Sequence, residues 1–480
     1  MKVLVVTGRL AQDLVRDFSS GADVLVLDLN IAAFITPEML QRAAPKGYDL
    51  ILIPGAITAD FTKAERALNT KIRLGPKHAA DLGFVLGHLE EVELSRSIPA
   101  CELFEERAKF EAESILHRLE ADAVTNLTIK GMKIGGNSRM KVLAEIVDAT
   151  KLDSDDLAKK ICYYEASGAD MIDLGLPLDA GVQAAAAAMK NAKRSTDLPV
   201  SIDTVRPDLI SAGVNAGADL VLSLNGRNMP IVGKAVANAG VPAVLISGPG
   251  SLEENLTAAM ELGIKAIADP VLDPPMQGLA MSIARYLKFR DDHPEIPLFF
   301  GIGNVIELLD ADSQGMSALL AALAAELHAG ILFTPEYSPK ARGSVHELRV
   351  ASEMMLLARN RKTPPKDLGI DLLVLKEKRH RPVESVPERF TEARADHGYV
   401  PDPAGGFRIF VADGLIVSKH ERATVAGTAA RDILNTLIDM GLITRLDHAG
   451  YLGRELEKAE VCLRLRRSYS QDEPFLPEKR

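Results

Sequence analysis

Eight short apolar runs recur along the middle of the chain, and nearly every one ends on a polar residue or in a Gly-rich turn. They are Met132–Asn137, Met171–Gly175, Val200–Thr204, Leu220–Asn225, Ala243–Ser247, Ile264–Asp269, Leu298–Asn304 and Ile331–Glu336. Segments of helical character lie between them, several led in by Gly-Ala-Asp or Ala-Gly-Val. Short buried strands alternating with helices are the sequence form of a parallel sheet. Eight such units predict a closed (β/α)8 TIM barrel, whose chemistry sits at the C-terminal ends of the strands. Asn137, Asp173, Asp203, Asn225, Asp269 and Asn304 are thereby expected to ring one mouth.

The flanks carry different patterns. Val3–Val6, Val24–Leu27 and Leu50–Ile53 are compact strand candidates separated by helical segments, which predicts an open parallel α/β domain over 1–120. Thr7-Gly8-Arg9 offers a phosphate turn, but without a full Gly-rich fingerprint a plain tight turn is favoured. Glu102 to Glu120 is charged and helical, leading into a barrel domain over 121–362. A helix is expected over Val345 to Arg359, and Arg361 to Pro403 reads as an exposed connection. The remainder of 363–480 predicts a small α+β domain. Phe407–Val411 and Leu415–Val417 pair across Asp413-Gly414, followed by an amphipathic helix over Ala423–Met440 with Ala430, Ile433, Leu434, Leu437 and Ile438 on one face.

Composition narrows the function. Among 480 residues 47% are hydrophobic and 25% charged, enough for sizeable buried cores. A net charge of −10 gives no support to nucleic-acid or membrane-surface partners. Cys101, Cys162 and Cys462 form neither a disulfide framework nor a ligand spacing, so a reducing cytoplasm is expected. The four-residue apolar run near the start is too short for a signal core or a membrane span. His420, His448 and Cys462 match no metal template.

Four motifs carry a family resemblance. Gly168-Ala169-Asp170-Met171-Ile172-Asp173-Leu174-Gly175 and Pro199-Val200-Ser201-Ile202-Asp203-Thr204 resemble the second and third barrel strands of dihydropteroate synthases. Ala216 to Gly226 resembles the fourth, and Asp269-Pro270 fits the end of the sixth. With both flanks, the whole chain resembles the dihydropteroate synthase-related proteins of organisms that make methanopterin-type cofactors.

The resemblance implies a transferase that condenses a dihydropterin-methyl diphosphate with an arylamine, with Mg²⁺ as cofactor. It casts Asp203, Asn225 and Asp269 as catalytic and pterin-binding, joined at the pterin by Asp173 and Asn304. The physical case is independent of the name. A reduced pterin presents an amino group and ring N–H donors beside a carbonyl, which carboxylates and amides can meet. Met276 and Ile246 are candidates to cover the ring, a place in the core being the plainer expectation for each. Asn137 matches the asparagine that meets diphosphate and metal. Lys340, Arg342, Ser344 and His346 would complete a diphosphate cradle at a helix start, although three residues separate Arg342 from His346 where the family has one.

Two departures concern the acceptor. The family's Ser-Arg-Lys after strand seven is replaced by Gly301-Ile302-Gly303-Asn304-Val305, and its Glu-Ser-Thr-Arg loop by Leu176 to Ala180. The acceptor implied is a changed arylamine, such as 4-(ribofuranosyl)aminobenzene 5'-phosphate of tetrahydromethanopterin biosynthesis, with Lys340, Arg342, Arg139 and Arg206 as its candidate positive charges. Gly303-Asn304-Val305 and Asp269-Pro270 also resemble pterin-dependent methyltransferases that feed corrinoid proteins. A non-catalytic pterin-binding or assembly protein is the third reading. The expected partners are small-molecule pterin and arylamine substrates, with no nucleic acid and no membrane, and a homodimer is left open.

Overall fold

The computed structural model describes residues 1–376, 388–393, 398 and 400–476, side chains 105 and 106 excepted. The chain forms two compact units, 1–374 and 375–480. The expected connection from Arg361 to Pro403 lies partly outside the described residues.

The first unit opens with a parallel sheet of β1 (Val3–Thr7), β2 (Asp23–Val26), β3 (Leu50–Ile53) and β4 (Lys71–Leu74), in the order β2-β1-β3-β4. Side chains alternate across a strand, so Leu4, Val6, Ile51 and Ile53 build one core while Val3, Val5, Leu50 and Leu52 build another on the opposite face. The fourth strand escapes the sequence pattern because charges interrupt it; Arg73 on it pairs with Glu65 at 2.8 Å. Thr7-Gly8-Arg9 is a tight crossing. The Arg9 and Leu10 N–H groups donate to the Leu29 and Asn30 carbonyls, and a Cβ at Gly8 would lie 2.9 Å from the Leu29 oxygen. Those donors are already used.

A closed barrel of eight parallel strands follows. Its strands are β7 (Lys141–Ile146), β8 (Met171–Gly175), β9 (Val200–Asp203), β10 (Leu220–Leu224), β11 (Ala243–Ile246), β12 (Ala266–Asp269), β13 (Leu298–Gly301) and β14 (Ala329–Thr334). Seven fall on the expected runs. The first does not: Met132–Asn137 belongs to an antiparallel hairpin, β5 (Leu127–Ile129) and β6 (Met132–Ile134). Its two-residue turn, Lys130-Gly131, has φ of 48° and 83°, the left-handed pair that two-residue hairpins prefer. Ile129 and Ile134 pack onto the barrel-interior residues Leu143, Met171, Leu220 and Ile331. Gly330, near the start of β14, leaves room for Gly135, whose nitrogen would otherwise meet a Cβ at 2.9 Å. The hairpin therefore closes the N-terminal end of the barrel.

The Gly-Ala-Asp lead-ins have a physical role. Gly168 and Gly217 take φ of 90° and 100°, ending a helix as only glycine does cheaply. The following Ala is buried. The Asp then turns its carboxylate onto an N–H at the start of the neighbouring strand: Asp170 accepts from Val142 and Asp219 from Val200, both at 2.8 Å. Each motif thus stops a helix and pins two adjacent strands in register.

In the second unit, β15 (Arg408–Ala412) and β16 (Leu415–Lys419) form the expected hairpin. A third strand, β17 (Thr424–Gly427), occupies the start of the expected helix, which runs instead over Ala430–Asp439. Ala430, Ile433 and Leu437 are buried, while Ile438 is 48% exposed. His420 and His448 are used structurally. His420 Nε2 lies 2.9 Å from the Ala404 carbonyl, and His448 Nδ1 lies 2.9 Å from Asp402.

Candidate active site

Parallel pairing brings the polar strand ends together. Glu145 on β7 is in register with Asp173 on β8, and Gly175 on β8 with Asp203 on β9. Glu145, Asp173 and Asp203 each place a carboxylate oxygen within 4.8 Å of the other two. Gly175 makes room for this, since a Cβ there would lie 2.3 Å from Glu145 Oε1. Asp173 is fully buried, and its Oδ1 accepts from the Ser201 hydroxyl. Asp203 accepts from the Ser223 hydroxyl at 2.8 Å. Ser223 has φ of 68°, where β10 slips register against β11. A non-glycine residue in that region is strained, and such strain is characteristic of sites that must aim a side chain.

Burial and mutual repulsion shape the charges. Burial, then Asp203, Asp148 and Glu307, push the Glu145 carboxyl up to about 8. Burial, then Asp203 and Glu145, hold Asp173 well above the ordinary carboxylate range, against the Ser201 hydrogen bond. Asp203 is raised by burial against the Ser223 hydrogen bond. Three clustered carboxylates cannot all ionise cheaply without a positive partner.

Asp269 closes the other side of the mouth. Its Oδ1 accepts from the Tyr286 hydroxyl at 2.7 Å and the Val271 N–H at 2.8 Å. Burial raises its pKa to about 6 against those two hydrogen bonds. Arg285 braces the turn by donating to the Pro270 and Val271 carbonyls. Asn225 accepts from the Arg227 N–H at 2.9 Å, while Asn228 fixes its backbone by accepting its N–H at 2.9 Å. Asn304 donates to the Leu272 carbonyl at 2.8 Å and is exposed beside the same loop. Met276 is fully exposed rather than in the core, and Ile246 is half-buried.

The phosphate half is placed differently from expectation. Asn137 follows the closing hairpin, where its side chain accepts from the Val124 N–H at 2.6 Å. It lies at the opposite end of the barrel from the mouth and holds neither diphosphate nor metal there. Arg139 also precedes β7; it is buried against Asp170 and Ser352 and supplies no rim charge. His346 lines a groove of about 510 Å³ with His117 and Glu120, on the outer wall between the helices Glu105–Ala121 and Ser344–Arg361. Asn137 and Arg139 stand at this end because residues 132–134 belong to the closing hairpin and not to the first barrel strand.

The remaining cradle residues are near the last strand but partly engaged. Ser344 is buried and shares a 2.8 Å hydrogen bond with Thr334. Lys340 is paired with Asp310 at 2.6 Å. Arg342 is exposed. Glu336 accepts the Val345 N–H at 2.8 Å, and Glu307 accepts those of Tyr337 and Ser338. Arg206 donates to the Leu178 and Ala180 carbonyls and pairs with Asp208.

Glu145, Ser223, Asn228 and Tyr286 were not singled out from the sequence. Glu145 lies near the end of Lys141-Val142-Leu143-Ala144-Glu145-Ile146, a run that Lys141 and Glu145 interrupt with charge. No helix among the described residues is long and apolar enough to cross a membrane.

The chain is similar to several known proteins. A family model described as pterin binding enzyme matches residues 145–261, and one described as PterinBD-DUF4346 matches 401–472. A Methanocaldococcus jannaschii protein, itself described as uncharacterized, is 34% identical over 517 aligned positions that cover 98% of each chain. Among solved structures, a Yersinia pestis dihydropteroate synthase with a pterine-sulfa conjugate is 20% identical, covering 49% of this chain and 99% of its own, with a TM-score of 0.40. The 7,8-dihydropteroate synthase of Vibrio fischeri is 20% identical, covering 48% and 96%, with a TM-score of 0.39.

Proposed function

Because the chain belongs to the dihydropteroate synthase-related pterin-binding proteins, we propose that it is a pterin-utilising transferase. In this reading it condenses a dihydropterin-methyl diphosphate with a phosphorylated, ribosylated arylamine. The observation that carries the pterin half is that Asp203, Asn225 and Asp269 stand at the C-terminal ends of β9, β10 and β12, around one mouth. Asp269 takes the amino edge of the pterin, Asn225 both donates and accepts along the ring, and Asp203 takes a ring N–H. In the reaction the amine lone pair forms the new C–N bond to the pterin methylene. The C–O bond breaks with its electron pair leaving on diphosphate, and the amine proton passes to solvent. Carboxylates around the mouth stabilise the electron-poor methylene as the leaving group departs. The Mg²⁺ expected at Asn137 does not fit there, so no step is routed through it.

A second reading is favoured by one observation. Glu336 already occupies the Val345 N–H at the helix start where diphosphate would bind, and Glu307 occupies those of Tyr337 and Ser338 in the loop before it. That arrangement suits a pterin without diphosphate, such as the methylated pterin of a methyltransferase serving a corrinoid partner.

Replacing both Lys340 and Arg342 by Ala separates the two. Under the synthase reading, affinity for pterin-methyl diphosphate falls at least about tenfold more than affinity for the hydroxymethyl pterin, about 1.4 kcal/mol. Calorimetric titration with both ligands measures it, and equal losses reject the cradle. The acceptor is tested by kcat/KM, whose ratio defines specificity. The ribosylated aminobenzene phosphate should exceed p-aminobenzoate by at least about tenfold; equal use of the two removes the changed-acceptor reading.

A further inference from the structure

We propose that Glu145, Asp173 and Asp203 form a binding site for one divalent cation of the Mg²⁺ class, in the floor of the barrel mouth. The three carboxylates each offer an oxygen within 4.8 Å of the others, so small side-chain movements bring all three onto one ion. The second observation is Asp173 itself. It is fully buried, its Oδ1 is engaged by Ser201, and its Oδ2 is buried with no hydrogen-bond partner. An uncompensated buried carboxylate oxygen is expensive and calls for a ligand or a proton.

The surroundings supply no substitute charge. Among the described residues no Lys, Arg or His pairs with any of the three, and the ion pairs near the mouth go to Asp148, Asp208, Asp273 and Asp310 instead. The further charged neighbours of Glu145 are the carboxylates of Asp148 and Glu307. Gly175 keeps the space open, since any larger residue would place a Cβ against Glu145. An all-carboxylate donor set selects a hard cation, Mg²⁺, Mn²⁺ or Ca²⁺, over a soft one. Three protein ligands leave the remaining positions of an octahedral ion to water or to a substrate oxygen. The site stands on these side chains alone and does not depend on the pterin reading.

Mn²⁺ is the probe, because free Mn²⁺ is read directly by electron paramagnetic resonance. The full chain, stripped with EDTA, should bind one Mn²⁺, and excess Mg²⁺ should displace it. Glu145→Gln and Asp173→Asn keep the side-chain volume while each removes a charge, and each should weaken Mn²⁺ at least about thirtyfold. The melting temperature should rise with Mn²⁺ in the parent protein and stay flat in both variants. Absence of stoichiometric Mn²⁺ binding would overturn the proposal. So would binding that both amide variants retain unchanged. If one variant fails to fold, the other and the parent's response to Mn²⁺ decide the question. A pterin titration on the same stripped protein is scored separately, so failure of the cation site and failure of the pterin reading give different results.

Discussion

Asp269→Asn should weaken binding of a reduced pterin by about 10- to 150-fold, the roughly 1.5–3 kcal/mol that a charge-assisted hydrogen bond contributes. Asp269 ends β12 with both of its protein donors, Tyr286 and the Val271 N–H, on Oδ1. Oδ2 is then available to a ligand's N–H. The substitution keeps the shape and removes the charge. It also brings a pH signature. Burial places the Asp269 pKa at about 6, with Asp203 raising it and Tyr286, the Val271 N–H and Arg285 opposing. Binding by the ionised carboxylate is therefore present above pH 6 and fades below it, falling by about tenfold between pH 7 and pH 5. The Asn variant should lose the part of this pH dependence that the Asp269 carboxylate contributes, leaving a shallower profile over the same range. Calorimetric titration of both proteins at the two pH values measures both effects. Parent-like affinity in the variant would remove Asp269 from the pterin site.

Most of the barrel was legible because its strands are buried on both faces and so read as unbroken apolar runs. β8 to β13 announce themselves in that way, and their last residues fall at the mouth. β7 does not, because it begins with Lys141 and carries Glu145 near its end. Lys141 is buried only because Glu120, from a distant helix, and the Arg139 carbonyl accept its ammonium protons at 2.8 and 2.6 Å. No local pattern reveals such a partner. The hairpin before it, Leu127–Ile134, offers an apolar run of similar length, and choosing it moved Asn137 and Arg139 to the wrong end of the barrel. The same choice hid Glu145, the one residue that completes the carboxylate cluster. Tyr286 and Asn228 were missed for another reason. They act on Asp269 and Asn225 from a neighbouring helix and a loop, and local periodicity carries no trace of that reach. β17 was absorbed into the following helix because Thr424 to Gly427 is too short to show its own alternation.

Asp170→Ala should destabilise the protein by about 3–5 kcal/mol, the cost of leaving a buried charge without its partner. Asp170 and Asp173 are three residues apart, yet one anchors the N-terminal end of the barrel and the other lies in the floor of its mouth. Asp170 accepts from Arg139, from Arg349 at 3.1 Å and from the Val142 N–H at 2.8 Å. Burial works against its charge, but Arg139, Arg349 and the Val142 N–H together hold its pKa below the usual carboxylate range. Arg139 is 7% exposed, so removing Asp170 leaves a largely buried guanidinium without its closest countercharge. Its remaining acceptors, the Met140 carbonyl and the Ser352 hydroxyl, are neutral and do not replace the lost charge. Asp219 is the internal control. It caps Val200 in the same way, but its cation, Lys193, keeps 23% of its side chain exposed. Asp219→Ala should therefore cost only about 1–2 kcal/mol, close to one hydrogen bond and a partly screened pair. Urea unfolding of the two variants at pH 7, with matched m-values, measures the difference. Equal losses at the two positions would mean that the burial of Arg139 is not what makes the Asp170 anchor strong.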